Sequence, residues 1–282
     1  MYSYKIFDAH CDTLCMIADH GGDIKCNSYN IDKERMSRYI SYIQIFACFI
    51  APEYSNNAME RFIQLADVFD KQDFSGITPI LSIEGGDMLQ SLEDIDYIKS
   101  RGVRCITLTW NHSNKIAGGA DEPEQGLTQF GRDVVRRLNE CGIIIDMSHI
   151  NDKSFYDIEK INTGVLIASH SNSRAICNHR RNLTDDMFKI IRDTGGVVGL
   201  NLYPEFLTEN KTCNISDAVR HVNHWLELDG GNTIGLGSDF DGVGDKLPIG
   251  IRGCQDYYKV LDVLDKGIIE KISHENFERV FS

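Results

Sequence analysis

Six residues able to ligate a divalent cation stand where short apolar runs of this chain end: His10, Asp12, Glu84, His149, His170 and Asp239. His10 and Asp12 close Tyr4-Lys5-Ile6-Phe7-Asp8-Ala9, and Glu84 follows Ile80-Leu81-Ser82-Ile83. His149 ends Ile143-Ile144-Ile145-Asp146-Met147-Ser148, His170 ends Val165-Leu166-Ile167-Ala168-Ser169, and Asp239 ends Ile234-Gly235-Leu236-Gly237-Ser238. Three imidazoles and three carboxylates converging on one point suit two divalent ions better than one. Metal-assisted hydrolysis is the chemistry of such a set.

The motifs carry unequal weight. In His10-Cys11-Asp12, alternate residues of an extended segment fall on one side, but the pattern is common. Glu84 precedes Gly85-Gly86, and a carboxylate ending an apolar run needs a cation or a donor. His149 and His170 reinforce each other, because each ends an apolar run, follows a serine and opens a polar turn. In Gly237-Ser238-Asp239-Phe240-Asp241-Gly242, Asp239 is the last strand residue, while Asp241 reads as an Asx-type turn.

A scaffold must gather these strand ends. Strands are predicted near 4–9, 42–50, 78–84, 103–109, 143–149, 164–170, 196–202 and 233–239. Between them, apolar residues recur at helical intervals over 57–71, 92–101, 129–140, 152–161, 185–193, 216–228 and 257–266. Arg101-Gly102, Cys141-Gly142, Thr194-Gly195 and Lys266-Gly267 read as helix exits. Eight strand–helix alternations with parallel, doubly buried strands predict an α/β fold, a (β/α)8 TIM-type barrel with its binuclear metal site at the C-terminal strand ends. No internal repeat or Pro/Gly/Ser-rich linker divides the chain, so residues 1–282 read as a single domain. The long stretches 110–128 and 241–256 follow strands and therefore flank the site.

Composition sets the outer limits. A length of 282 residues suits one such barrel, and 42% hydrophobic with 25% charged residues allows a substantial core. The net charge of −13 argues against nucleic acid or an anionic membrane as a partner. Nine scattered cysteines without a CxxC pair read as reduced residues, and no secretory leader or membrane-length apolar stretch is seen, which points to the cytoplasm. A homodimer stays open.

Taken together, several motifs resemble the membrane dipeptidase (renal dipeptidase) family of metallopeptidases, among the amidohydrolase-type barrels. They are Phe7-Asp8-Ala9-His10-Cys11-Asp12, Glu84-Gly85-Gly86, Ile106-Thr107-Leu108-Thr109 and Gly126-Leu127-Thr128-Gln129-Phe130-Gly131. Ile145-Asp146-Met147-Ser148-His149, His170-Ser171-Asn172-Ser173-Arg174, Arg180-Arg181-Asn182, Gly237–Gly242 and Asn276–Phe281 continue the likeness, as does the 21-residue step from His149 to His170. The resemblance implies two Zn²⁺ ions, with Mn²⁺, Co²⁺ or Fe²⁺ compatible with a sulfur-free donor set. It places His10 and Asp12 on one ion with Asp239 nearby, His149 and His170 on the second, and Glu84 between them. It further implies a metal-bridging hydroxide that cleaves the peptide bond of free dipeptides, with Asp239 carrying the proton. Arg181 would grip the substrate carboxylate, and Tyr203 would lie beside the substrate.

One departure stands out. Where mammalian members place a carbonyl-contacting histidine after Leu108-Thr109, this chain has Trp110-Asn111-His112. Asn111 or His112 supplies that contact from a shifted loop, or the metals act alone, or the substrate differs. Trp110 would pack on an apolar substrate side chain or close the barrel rim. The alternatives are therefore a hydrolase of lactones, cyclic amides or N-acyl amino acids, and a non-catalytic metal-binding barrel. Cys11 and Cys177 read as packing residues, His221 and His224 as solvated.

Overall fold

In the computed structural model, which describes residues 2–282, eight parallel strands form one sheet. They are β1 (Lys5–Cys11), β2 (Ser41–Phe49), β3 (Thr78–Glu84), β4 (Val103–Thr107), β5 (Ile144–Asp146), β6 (Leu166–Ile167), β7 (Val198–Leu200) and β8 (Ile234–Leu236), in the order β6-β5-β4-β3-β2-β1-β8-β7. The two ends of this order meet. Ala168 N–H donates to Val197 O over 3.0 Å, and Gly199 N–H donates to Ala168 O over 2.7 Å. The sheet is thus a closed (β/α)8 barrel.

The strands were expected longer. β5 to β8 are only two or three residues each, because their C-terminal residues turn inward to build the site instead of continuing the ladder. Helices follow the strands in turn: α1 (Thr13–His20), α2 (Ala58–Asp70), α3 (Glu93–Ser100), α4 (Gln129–Cys141), α5 (Asp152–Glu159), α6 (Asp185–Asp193), α7 (Ile215–Glu227), and, after β8, α8 (Tyr257–Leu261) and α9 (Asn276–Phe281). Side-chain caps explain several starts: Thr128 accepts from Gly131 N–H, Asn151 from Ser154 N–H, and Thr184 from Met187 N–H. Gly102, Gly142 and Gly195 take left-handed backbone at the exits of α3, α4 and α6. The exit expected at Lys266-Gly267 does not exist. α8 stops at Leu261, and a π-type turn over Lys271–Glu275 leads into α9.

The barrel interior explains the plug at its N-terminal end. Phe7, Ala9, Ile45, Cys105 and Ile167 from four strands, with Val197 just before β7, pack with Phe277 and Phe281 of α9. Phe277 stacks on Phe7 at 5.3 Å, and a Cβ at Gly235 would lie 2.4 Å from its ring. Nearer the mouth, β7 and β8 close on β6 so tightly that a Cβ at Gly199 or Gly237 would sit 1.9 or 1.8 Å from Ser169 O. Glycine there draws the turn after β6 toward the turn after β8.

Candidate active site

The six residues picked out from the sequence meet at the C-terminal mouth of this barrel. Their ligand atoms form three overlapping groups, each within 4.8 Å: His10–Asp12–Glu84, Glu84–His149–His170 and His10–His170–Asp239. Glu84 joins the first two, with Oε2 3.1 Å from His10 Nε2 and Oε1 2.7 Å from His149 Nε2. His10 Nε2 also has Asp12 Oδ2 at 3.4 Å and Asp239 Oδ1 at 3.9 Å. Five of the six are buried, and Asp239 is partly exposed.

The chemistry of this donor set fits divalent metal. His149 Nδ1 donates to Asn111 Oδ1 over 2.8 Å, and His170 Nδ1 meets the Ser169 hydroxyl at 2.7 Å. Burial keeps both rings neutral, well below the usual histidine range, with Arg181 beside His149 and His10 beside His170 adding to the effect. With its Nδ1 donating to Asn111, His149 turns the lone pair of its Nε2 toward Glu84 Oε1 at 2.7 Å, with His170 Nε2 also 2.7 Å away, an arrangement that a cation relieves. His10 Nε2 and Asp12 Oδ1 are likewise buried without a hydrogen-bond partner. Burial, reinforced by the Asp12 charge, pushes the Glu84 carboxyl up to about 7. For His10 burial opposes the charged form, yet Glu84 and Asp12 outweigh it and hold the ring well above its ordinary value. Nitrogen and oxygen donors without sulfur accept Zn²⁺, Mn²⁺, Co²⁺ or Fe²⁺.

Two buried aspartates, passed over in the sequence, hold the turns that carry these residues. Asp146 Oδ1 accepts from Ser148 N–H at 3.0 Å and Ser169 N–H at 2.9 Å, tying together the residues that precede His149 and His170. Asp8 repeats the device between β1 and β8. Its Oδ1 accepts from Ser238 N–H at 2.9 Å and His10 N–H at 3.4 Å, and its Oδ2 from the Ser238 hydroxyl at 2.6 Å. The sequence signal was a carboxylate inside an apolar run, two or three positions before a histidine. These ties oppose a cost, because His149 and Asp239 hold φ of 69° and 63°, worth on the order of 1–3 kcal/mol for residues other than glycine. Asp146→Ala is expected to lower metal affinity by about 10–100-fold, as loss of a ligand-orienting group usually does. Metal titration beside thermal melts of the metal-free protein checks this. A lower melting temperature with unchanged affinity would make Asp146 a purely structural residue.

Asn201, two residues before Tyr203, orients Asp239. Its amide Nδ2 donates to Asp239 Oδ2 over 2.9 Å, and its Oδ1 accepts from Tyr203 N–H. Above the cluster opens a cavity of about 370 Å³, lined among others by Phe49, Trp110, Asn111, Tyr203, Phe206 and Lys246. Tyr203 faces it, with its hydroxyl accepting from Lys246 Nζ at 3.1 Å. Arg181 is buried, with its Cζ 5.4 Å from the Phe206 ring, and its Nε and Nη2 have no partner. The neighbouring Arg180 is instead exposed and pairs with Asp121. Of the two candidates after Trp110, Asn111 faces the cavity. His112 does not line it, is half exposed and lies 3.8 Å from Glu122.

Two readings need correction. His221 is fully buried, because it shares the inner face of α7 with Ala218, Val222 and Trp225. Its Nδ1 accepts from Ser173 N–H and its Nε2 donates to Leu207 O, so it braces the segment after β6, and burial pushes it down to about 4. His224, only partly exposed, meets Asp185 at 2.8 Å. Asp241 makes long-range bonds in place of a local Asx turn. It accepts from the Thr13 hydroxyl at 2.5 Å and Asn30 N–H at 2.6 Å, pinning α1 and the 30s loop to the mouth.

Comparison with known proteins agrees with this fold. A model of the membrane dipeptidase family, peptidase family M19, matches residues 65–282. An uncharacterized dipeptidase of Schizosaccharomyces pombe is 32% identical over 234 residues, 79% of this chain. The match spans only 55% of that yeast protein, about half its length. A metallopeptidase from Rhodobacter sphaeroides, solved with a phosphinate mimic of L-Ala-D-Ala, superposes with a TM-score of 0.85 at 22% identity, covering 99% of both chains. A dipeptidase of family M19 does so with a TM-score of 0.87 at 23% identity, covering 99% of this chain and 98% of its own. At such identities the solved structures bear on the fold alone.

Proposed function

We propose, because the chain belongs to the membrane dipeptidase family (peptidase family M19), that it hydrolyses free dipeptides at a pair of divalent metal ions, with zinc the leading candidate. The observation that carries the reading is Glu84, whose two oxygens face two separate histidine sets. His10 and Asp12 would hold one ion, His149 and His170 the other, with Glu84 between them and Asp239 at the edge. Bound there, two such ions supply Lewis acidity toward a carbonyl and acidify a water.

The chain's own groups supply the rest. Asp239, its Oδ2 fixed by Asn201 and its Oδ1 facing the cluster, takes the proton of the attacking water. As the C–N bond breaks it returns that proton to the departing nitrogen, so two amino acids leave, one with the new carboxylate and the other with the new amine. Burial lifts the Asp239 carboxyl above the usual range, though His10 pulls the other way, and a stronger base suits this task. Arg181 offers a buried guanidinium with free donors to the substrate carboxylate. A cavity of about 370 Å³ sits near the small end of the roughly 300–1,000 Å³ range of ligand sites, which favours a dipeptide over a longer chain. All nine cysteines are free, the state a reducing cytoplasm maintains, and no helix among the described residues is long and apolar enough to cross a membrane.

Hydrolysis of a dipeptide panel against N-acetylated and C-amidated versions tests the substrate class. Rapid cleavage of lactones or N-acyl amino acids with no cleavage of free dipeptides would hand the site to the other amidohydrolase reactions. Elemental analysis of the reconstituted protein should find close to two ions per chain. Glu84→Ala should lose metal affinity and activity together, by more than the about 10–100-fold that loss of an outer orienting group costs. A parent protein that never holds more than one ion would remove the paired-metal mechanism.

A further inference from the structure

The mouth of the barrel has two aromatic sides, and strand order sets them apart. Phe206, beyond β7, borders the guanidinium of Arg181, beyond β6. Phe49 ends β2 and Trp110 follows β4, with ring centroids 5.4 Å apart, and both line the cavity. In the closed ring β2 lies four places from β6, so the Phe49–Trp110 side faces the Arg181–Phe206 side across the metal cluster. Cys15 of α1 extends the first side, and Trp110 leans on the His149 ring at 6.1 Å. None of these side chains offers a charge. Of the cavity's carboxylates, Asp12, Asp239 and Asp241 follow β1 and β8, between the two sides, while Glu84 ends β3 with its oxygens on the histidines of the cluster.

We propose that Phe49 and Trp110 form the subsite for the side chain of the substrate's N-terminal residue and select apolar and aromatic side chains there. This rests on the dipeptidase reading, with the substrate carboxylate at Arg181. A dipeptide is short and carries opposite charges at its ends. With its carboxylate on the β6–β7 side and its peptide carbonyl over the cluster, its first residue must reach toward β2 and β4. The ammonium group then turns to Asp12, and the side chain of the same residue is left against the two rings. Both rings are partly open to water, so an apolar side chain filling the gap removes surface on both partners. A carboxylate side chain would be desolvated there without a partner.

The test is kcat/KM of the metal-loaded enzyme for Phe-Ala, Leu-Ala, Ala-Ala, Glu-Ala and Ala-Phe. Phe-Ala and Leu-Ala should exceed Ala-Ala by about 10–100-fold, the usual worth of one apolar side chain in a pocket, and Glu-Ala should fall below Ala-Ala. Trp110→Ala and Phe49→Ala should bring the Phe-Ala to Ala-Ala ratio down toward one while the Ala-Phe to Ala-Ala ratio stays near its parent value. Trp110→Phe, which keeps an aromatic face, should retain most of the selectivity. Equal parental rates for Phe-Ala and Ala-Ala would overturn the proposal, as would unchanged selectivity in both alanine variants. Failure of the dipeptidase reading looks different: no dipeptide of the panel is cleaved at all, and both ideas fall.

Discussion

Asp239→Asn should lower kcat by about 10²–10⁴-fold, the usual contribution of a positioned acid–base group, with the fold intact. Asparagine keeps the size of the side chain and can still turn an oxygen to Asn201 Nδ2, now 2.9 Å from Asp239 Oδ2. It cannot accept the water's proton or return it to the leaving nitrogen. Metal content measured on the same sample separates loss of a base from loss of a ligand. Asp241→Asn is the control, since its neighbours Thr13 and Asn30 need only an acceptor, which an amide retains. Equal losses in the two variants would show that the proton-transfer role has been given to the wrong residue.

Arg181→Ala should cut kcat/KM for free dipeptides by about 2–5 kcal/mol, the range for breaking a buried charge pair. Burial drives the Arg181 pKa down to about 10, so the group stays cationic at neutral pH while two of its nitrogens lack partners. Such an orphaned buried cation is poorly satisfied until an anion arrives. Lysine should rescue only part of the loss, because it lacks the bidentate fork. C-amidated dipeptides should be poor substrates of the parent and almost indifferent to the change. If acid and amide substrates suffer alike, Arg181 supports the wall of the cavity and does not read the carboxylate.

Much of this site was legible because strands that are buried on both faces must end abruptly at a polar residue, and those residues were histidines and carboxylates. The barrel followed from the same alternation. What escaped notice had weaker local signals. α1 begins at Thr13, directly after Asp12, with no proline or glycine to separate strand from helix; only Gly21 and Gly22 mark its exit. His221 was misplaced because a lone histidine on an otherwise amphipathic helix reads as surface unless its neighbours at 218, 222 and 225 are counted. Asp8 and Asp146 escaped because each serves strand ends that are remote in sequence: Ser238 lies 230 positions from Asp8. Asp241 misled for the same reason, since its partners Thr13 and Asn30 come from the opposite end of the chain.

The plug of Phe277 and Phe281 sets an order of assembly. β1 pairs with β2 on one side and β8 on the other, and its Phe7 stacks on Phe277. A growing chain therefore carries β1 as an unpaired edge until residues 234–236 arrive, and the barrel's floor stays open until residues 276–281 follow. Contacts so distant in sequence slow folding, because loop closure precedes the reward of pairing. His10 and Asp12 meet Asp239 only at that late stage. On the proposed paired-metal reading, capture of both ions would then report that the ring has closed.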